Sequence, residues 1–102
     1  MVKVLNKYRD NLVGLDGAVI NIMRGSILGN YPGVGLERDK SIEAYRKYLW
    51  VEIRKGGKIL NELKRILGLS IIGNVYLVCC CKPKPCHGDI VVNAIEWLSN
   101  QE

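Results

Sequence analysis

The sequence predicts a small α/β domain, a mostly parallel sheet flanked by helices and Rossmann-like in the broad sense, with elements in the order β-β-α-α-β-α. Three observations lead there. Short runs of β-branched and other apolar residues occur at Val2–Leu5, Ala18–Ile22 and Val75–Cys80, and such runs bounded by turn residues read as strands. Apolar residues recur at helical spacing between the second and third runs, and again near the C-terminus. A helical crossover between two strands makes them parallel members of one sheet.

The first strand ends at Asn6-Lys7. The polar stretch from Tyr8 to Gly17 carries the turn signals Gly14 and Asp16-Gly17. After the second strand comes a long glycine-rich loop, Met23 to Gly35, holding Arg24, Ser26 and Asn30. Long loops in small domains are functional or disordered. Its polar side chains and flexible backbone suit a phosphate or carboxylate, and they equally suit a plain connector.

A helix starts at Asp39 or Ser41, with Glu43 favourable in its first turn. Ile42, Tyr45, Leu49 and Ile53 form its apolar stripe, broadened by Tyr48 and Trp50. Gly56-Gly57 breaks it. A second helix carries Ile59, Leu60, Leu63, Ile66 and Leu67, with Gly68 as its C-cap. Ile71-Ile72 and Gly73 then lead into the third strand.

That strand, Val75 to Cys80, reads as buried on both faces. Alternation puts Cys79 and Cys81 on one face and Cys80 on the other. Pro83 and Pro85 cannot donate to a ladder, so the strand ends near Cys81. Ile90, Val91, Ala94, Ile95 and Leu98 then have helical spacing. Cys86, Gly88 or Asp89 would cap that helix, with its free N–H groups facing the loop. A strand-loop-helix junction of this kind is where open α/β sheets place ligands.

Residues 1–102 are expected to form a single domain, with hydrophobic content of 48% and no Phe. At this size dimerisation would add stability, so a homodimer is one expectation. The net charge of +5 favours anionic partners, although lysine-rich solvated faces give the same balance. No long apolar run follows Met1-Val2-Lys3, and the run from Ile71 to Cys81 is broken by Gly73-Asn74. Neither an export signal nor a membrane span is expected, and the cysteines are expected as reduced thiols in the cytoplasm.

Three motifs resemble one family. They are Arg24-Gly25-Ser26-Ile27-Leu28-Gly29-Asn30, then Tyr45 with Tyr48-Leu49, then Cys79-Cys80-Cys81-Lys82-Pro83-Lys84-Pro85-Cys86-His87-Gly88-Asp89. Together they resemble the signature of domain-of-unknown-function family 4326, found in phage, bacterial and archaeal proteins. The family usually has Trp where this chain has Cys80. The resemblance implies a compact α/β domain with a polar site built from the first and third motifs. It implies no activity and no cofactor.

The leading expectation is a pocket for a small anionic, nucleotide-like ligand at the C-terminal edge of the sheet. Arg24, Gly25, Ser26, Gly29, Asn30, Cys81, Lys82 and Lys84 are its candidate ligand-binding residues. Arg24 suits a bidentate clamp on a phosphate or carboxylate. If the site is catalytic, His87 would be acid or base, since its ordinary pKa lies near neutrality. Cys86, at a helix N-terminus near basic residues, would have a lowered pKa and act as nucleophile. Asp89 would orient His87, cap the helix or hold a ribose hydroxyl. Two alternatives stand beside this. Cys79, Cys81, Cys86 and His87 have the composition of a tetrahedral zinc site, though without the usual two-residue knuckle. Lys47, Arg54, Lys55, Lys58, Lys64 and Arg65 would suit nucleic-acid phosphates, though no exposed aromatics interleave with them.

Overall fold

The computed structural model describes residues 1–81 and 84–101. Three strands, β1 (Val2–Asn6), β2 (Gly17–Asn21) and β3 (Asn74–Cys79), and three helices, α1 (Arg38–Lys55), α2 (Lys58–Ile72) and α3 (His87–Ser99), follow one another in the predicted β-β-α-α-β-α order. The sheet order is β1-β3-β2, and both pairings are parallel. The most apolar run is therefore the central strand. Val2 and Val4 lie opposite Val75 and Leu77, and Ala18 and Ile20 lie opposite the same two residues. Side chains alternate along a strand, so these positions and Cys79 share one face. Val75, Leu77 and Cys79 are fully buried on it.

α2 and α3 pack on that face, and α1 packs against both of those helices. Tyr45, Leu49 and Ile53 of α1, Leu63, Ile66 and Leu67 of α2, and Val91, Ala94 and Ile95 of α3 form one core with the strands. Trp50 and Trp97 meet edge to face, with ring centroids 5.1 Å apart. The other face of the sheet is covered by the β1–β2 connection. There Tyr76 donates its hydroxyl to Asp16, and Leu12 lines a hollow with Val19 and Val78. The burial expected on both faces of β3 is complete on the helical side. On the reverse it holds at Val78, while Tyr76 is half-buried.

Two helix ends differ from expectation. α1 begins at Arg38 rather than at Asp39 or Ser41, with Glu37 as an N-cap whose side chain makes no cap bond. α2 runs through Gly68, the expected C-cap, to Ile72, and Gly73 donates its N–H to the Leu69 carbonyl. Gly68 lies on the exposed side, while Leu69 packs against the core. That packing holds the last turn and outweighs roughly 1 kcal/mol of glycine penalty. Gly56, by contrast, has φ +67, the left-handed conformation that ends α1 and favours glycine. Among the described residues, no helix is long and apolar enough to cross a membrane.

Candidate functional site

Because the strands are parallel, the segments that leave β2 and β3 emerge on one edge of the sheet. There they frame a cleft of about 220 Å³. From the loop after β2 come Arg24, Asn30 and Gly33. From the loop after β3 and the start of α3 come Cys81, Cys86 and His87. The first turns of α1 add Arg38, Ser41 and Ile42. The two motifs, more than fifty residues apart in the chain, thus share a rim, and Arg24 and His87 stand on the same cleft.

The loop after β2 owes its shape to its small residues. Gly25 has φ +97, so an L side chain there would be strained. Its N–H donates to the Tyr31 hydroxyl at 2.8 Å, and the Ser26 hydroxyl donates to the Met23 carbonyl at 2.6 Å. A Cβ on Gly29 would meet the Met23 carbonyl at 2.9 Å and Arg24 Cα at 3.0 Å. Gly29 therefore lets the backbone close tightly behind Arg24. Asn30 donates to Ser41 Oγ at 2.9 Å and accepts the Gly33 N–H at 2.9 Å, tying the loop to α1. A Cβ on Gly33 would collide with both side chains.

Tyr45 joins the two motifs. It is fully buried, and its hydroxyl donates to the Leu28 carbonyl at 2.8 Å. Its ring packs edge-on against His87, with centroids 4.9 Å apart. His87 in turn has Nε2 2.6 Å from the Ile22 carbonyl. A carbonyl only accepts, so the Nε2 proton stays in place and the ring is the Nε2–H tautomer. Nδ1 is then an acceptor, 3.7 Å from Cys86 Sγ. Burial holds the His87 pKa below its ordinary value. The bond to Ile22 opposes this, the nearby Arg24 guanidinium reinforces it, and the Asp89 carboxylate opposes it. His87 is a neutral ring at pH 7.

Cys86 is the N-cap of α3. Its sulfur accepts the Gly88 N–H at 3.3 Å, and the Asp89 carboxylate accepts the Cys86 N–H at 3.3 Å, which makes a capping box. The expected lowering of the Cys86 pKa is reversed. Burial pushes the thiol up, only partly opposed by the Gly88 N–H, and the neighbouring Cys79 thiol adds to the rise. In an apolar site the thiolate loses more solvation than one backbone donor restores.

Of the residues expected in the site, Arg24, Asn30, Cys81, Cys86 and His87 line the cleft. Gly25 and Ser26 line a separate hollow. Gly29 packs behind Arg24. Asp89 lines a third depression beside Val2 and Lys3. Lys84 is exposed and donates its backbone N–H to the Cys81 carbonyl. Lys82 lies outside the described residues. Arg38 was not among the expected residues. Its Nη1 donates to the Pro85 carbonyl at 3.0 Å, bracing the loop after β3 against α1. The only sequence signal for it was its place at the start of the helix that follows the glycine-rich loop.

Among the described residues, neither Asp nor Glu lines the cleft. Among the described residues, the carboxylate ion pairs are Arg46–Glu43, Lys55–Glu52 and Arg65–Glu62, so neither Arg24 nor Arg38 is neutralised by one. The N-terminal ends of α1 and α3 both reach the cleft, each bringing partial positive charge. Among the described residues, no group of three or more His, Cys, Asp or Glu is arranged to hold a metal ion.

Comparison with known proteins agrees with the family resemblance. A family model described as "Domain of unknown function (DUF4326)" matches residues 5–97. An uncharacterized 12.4 kDa protein in the nrdA-td intergenic region of Enterobacteria phage T4 is 33% identical over 99 residues, 96% of this chain and 81% of that protein. No solved structure matches the chain.

Proposed function

This chain belongs to the DUF4326 family, and from that premise we propose that it is a binding module for a small, nucleotide-like anion held in the cleft at the C-terminal edge of the sheet. One observation carries the reading: two arginines, Arg24 and Arg38, line a cleft that has no carboxylate among the described residues of its walls. A guanidinium presents paired donors matched to phosphate oxygens, and two helix N-termini favour the same charge. The volume of about 220 Å³ is below that of pockets enclosing drug-sized ligands, roughly 300–1,000 Å³. It suits a phosphoryl group and the atoms next to it.

Binding has better support than catalysis. Cys86 stays protonated and, with Asp89, caps α3. His87 commits Nε2–H to the Ile22 carbonyl and faces the Cys86 thiol with its neutral Nδ1, so both ring nitrogens have protein partners.

The test is calorimetric titration of the full chain with inorganic phosphate and with ribose phosphate. Saturable binding that weakens as salt rises is expected. Arg24→Ala should weaken it about tenfold or more, the worth of a charged hydrogen bond of roughly 1.5–3 kcal/mol. Absence of binding, or equal binding by Arg24→Ala, overturns the proposal. Salt-dependent binding of an oligonucleotide that survives Arg24→Ala would instead favour a surface on the basic helices.

A further inference from the structure

The loop from Arg24 to Tyr31 contributes residues to two hollows. Arg24 and Asn30 line the cleft, while their immediate neighbours Gly25 and Tyr31 line a second hollow of about 540 Å³ with Ser26, Tyr48 and Lys58. Its composition differs from that of the cleft. Among the described residues it has two tyrosine rings, the aliphatic side chains of Ile27 and Ile59 and one cation, again with no carboxylate. From this juxtaposition, and resting on the anion-binding reading above, we infer that the second hollow is a subsite for a flat, ring-bearing portion of the same ligand. The cleft takes the phosphoryl group and the tyrosine-lined hollow takes a nucleobase, so the ligand class is a nucleoside monophosphate.

Several features support the assignment. Tyr31 is 51% exposed, yet its hydroxyl is pinned, accepting the Gly25 N–H at 2.8 Å and facing the Ser26 carbonyl at 3.4 Å. An apolar ring held still in solvent is a preorganised stacking platform, because it loses little rotamer freedom when a second ring covers it. Tyr48 and Tyr31 both line the hollow, so the two rings belong to one neighbourhood. Ile27, 44% exposed, extends the apolar floor. Lys58, the first residue of α2, adds an N–H donor suited to a ring carbonyl oxygen. The two hollows draw on adjacent residues at each end of the loop, Arg24 beside Gly25 and Asn30 beside Tyr31.

The test compares ribose phosphate with the common nucleoside monophosphates on the wild-type chain. Nucleoside monophosphates should bind about 5- to 150-fold tighter, the gain expected from stacking one base. Tyr48→Ala should remove most of that gain and leave ribose phosphate affinity unchanged. A heteronuclear titration of the wild type needs no variant: amides of Ile27, Lys58 and Ile59 should move with nucleotide and stay still with ribose phosphate. Equal affinity for the two ligands, or nucleotide shifts confined to the cleft, overturns the subsite while leaving the anion site standing. If neither ligand binds, both readings fall.

Discussion

Replacing Tyr45 with Phe removes one oxygen and keeps the ring, and the structure sets the consequence. Tyr45 is fully buried and Leu28 is 2% exposed, so the hydroxyl and the carbonyl it serves are both out of water. Loss of the donor leaves the Leu28 carbonyl without that partner in the interior, a cost of about 1–3 kcal/mol. In a domain of 102 residues, each kcal/mol lowers Tm by about 4–8 °C, so a fall of about 4–24 °C is expected. The effect should also be local. The ring remains against His87, while the loop after β2 loses its deepest anchor. Amide exchange at Ser26 and Gly29, whose N–H groups close the turns onto Met23 and Ser26, should speed up. Exchange in β3 should rise only as far as global stability falls. Phosphate affinity should drop as well, since the same loop aims Arg24. Thermal denaturation with hydrogen exchange checks all of this. A Tm within about 1 °C of wild type and unchanged loop exchange would refute the claim that Tyr45 fixes the loop.

Other expectations follow from the same geometry. His87 has its pKa held down by burial in the folded state, so below the ordinary value of about 6.5 the unfolded chain binds a proton that the folded chain resists. Stability from this source is complete above that value and declines as pH falls from it towards the folded pKa. In denaturant melts His87→Gln, which offers a donor for Ile22 without titrating, should lose less stability than wild type between pH 7.5 and pH 5. Gly29→Ala places a methyl against backbone atoms of Met23 and Arg24. It should cost about 1–3 kcal/mol, measured by urea unfolding, and weaken phosphate binding. Thiol reactivity follows exposure: Cys80 is exposed, whereas Cys79 and Cys86 are buried. Mass spectrometry of alkylated folded protein should find Cys80 modified first and Cys79 and Cys86 only after unfolding.

The architecture was legible because each element carries its own period. β-branched runs marked the strands, Tyr45, Leu49 and Ile53 marked α1, and the helical crossover required a parallel sheet. The end of α2 was less legible, because Gly68 reads locally as a stop. The contact that carries the helix on to Ile72 is tertiary, Leu69 against the core. At the site, the sequence singled out two motifs, and the sheet edge brings Arg24 and His87 to one cleft. Individual roles were harder to read. Gly25, Ser26 and Gly29 fold the loop rather than face the cleft, and Asp89 turns back to its own helix end. Cys86 was expected to ionise readily because a helix N-terminus favours thiolate, yet burial among other thiols and apolar side chains outweighs it. Arg38 escaped notice because its partner, the Pro85 carbonyl, is 47 residues away.

The account rests on anion capture by Arg24 and Arg38. The most direct measurement follows both guanidinium Nε–H signals and the His87 ring nitrogens by nuclear magnetic resonance while inorganic phosphate is added to the wild-type chain. A single saturable process moving both arginine signals, with His87 remaining the Nε2–H tautomer throughout, is the predicted result. Arginine signals that stay fixed while only exposed lysines such as Lys47 and Lys64 respond would contradict it.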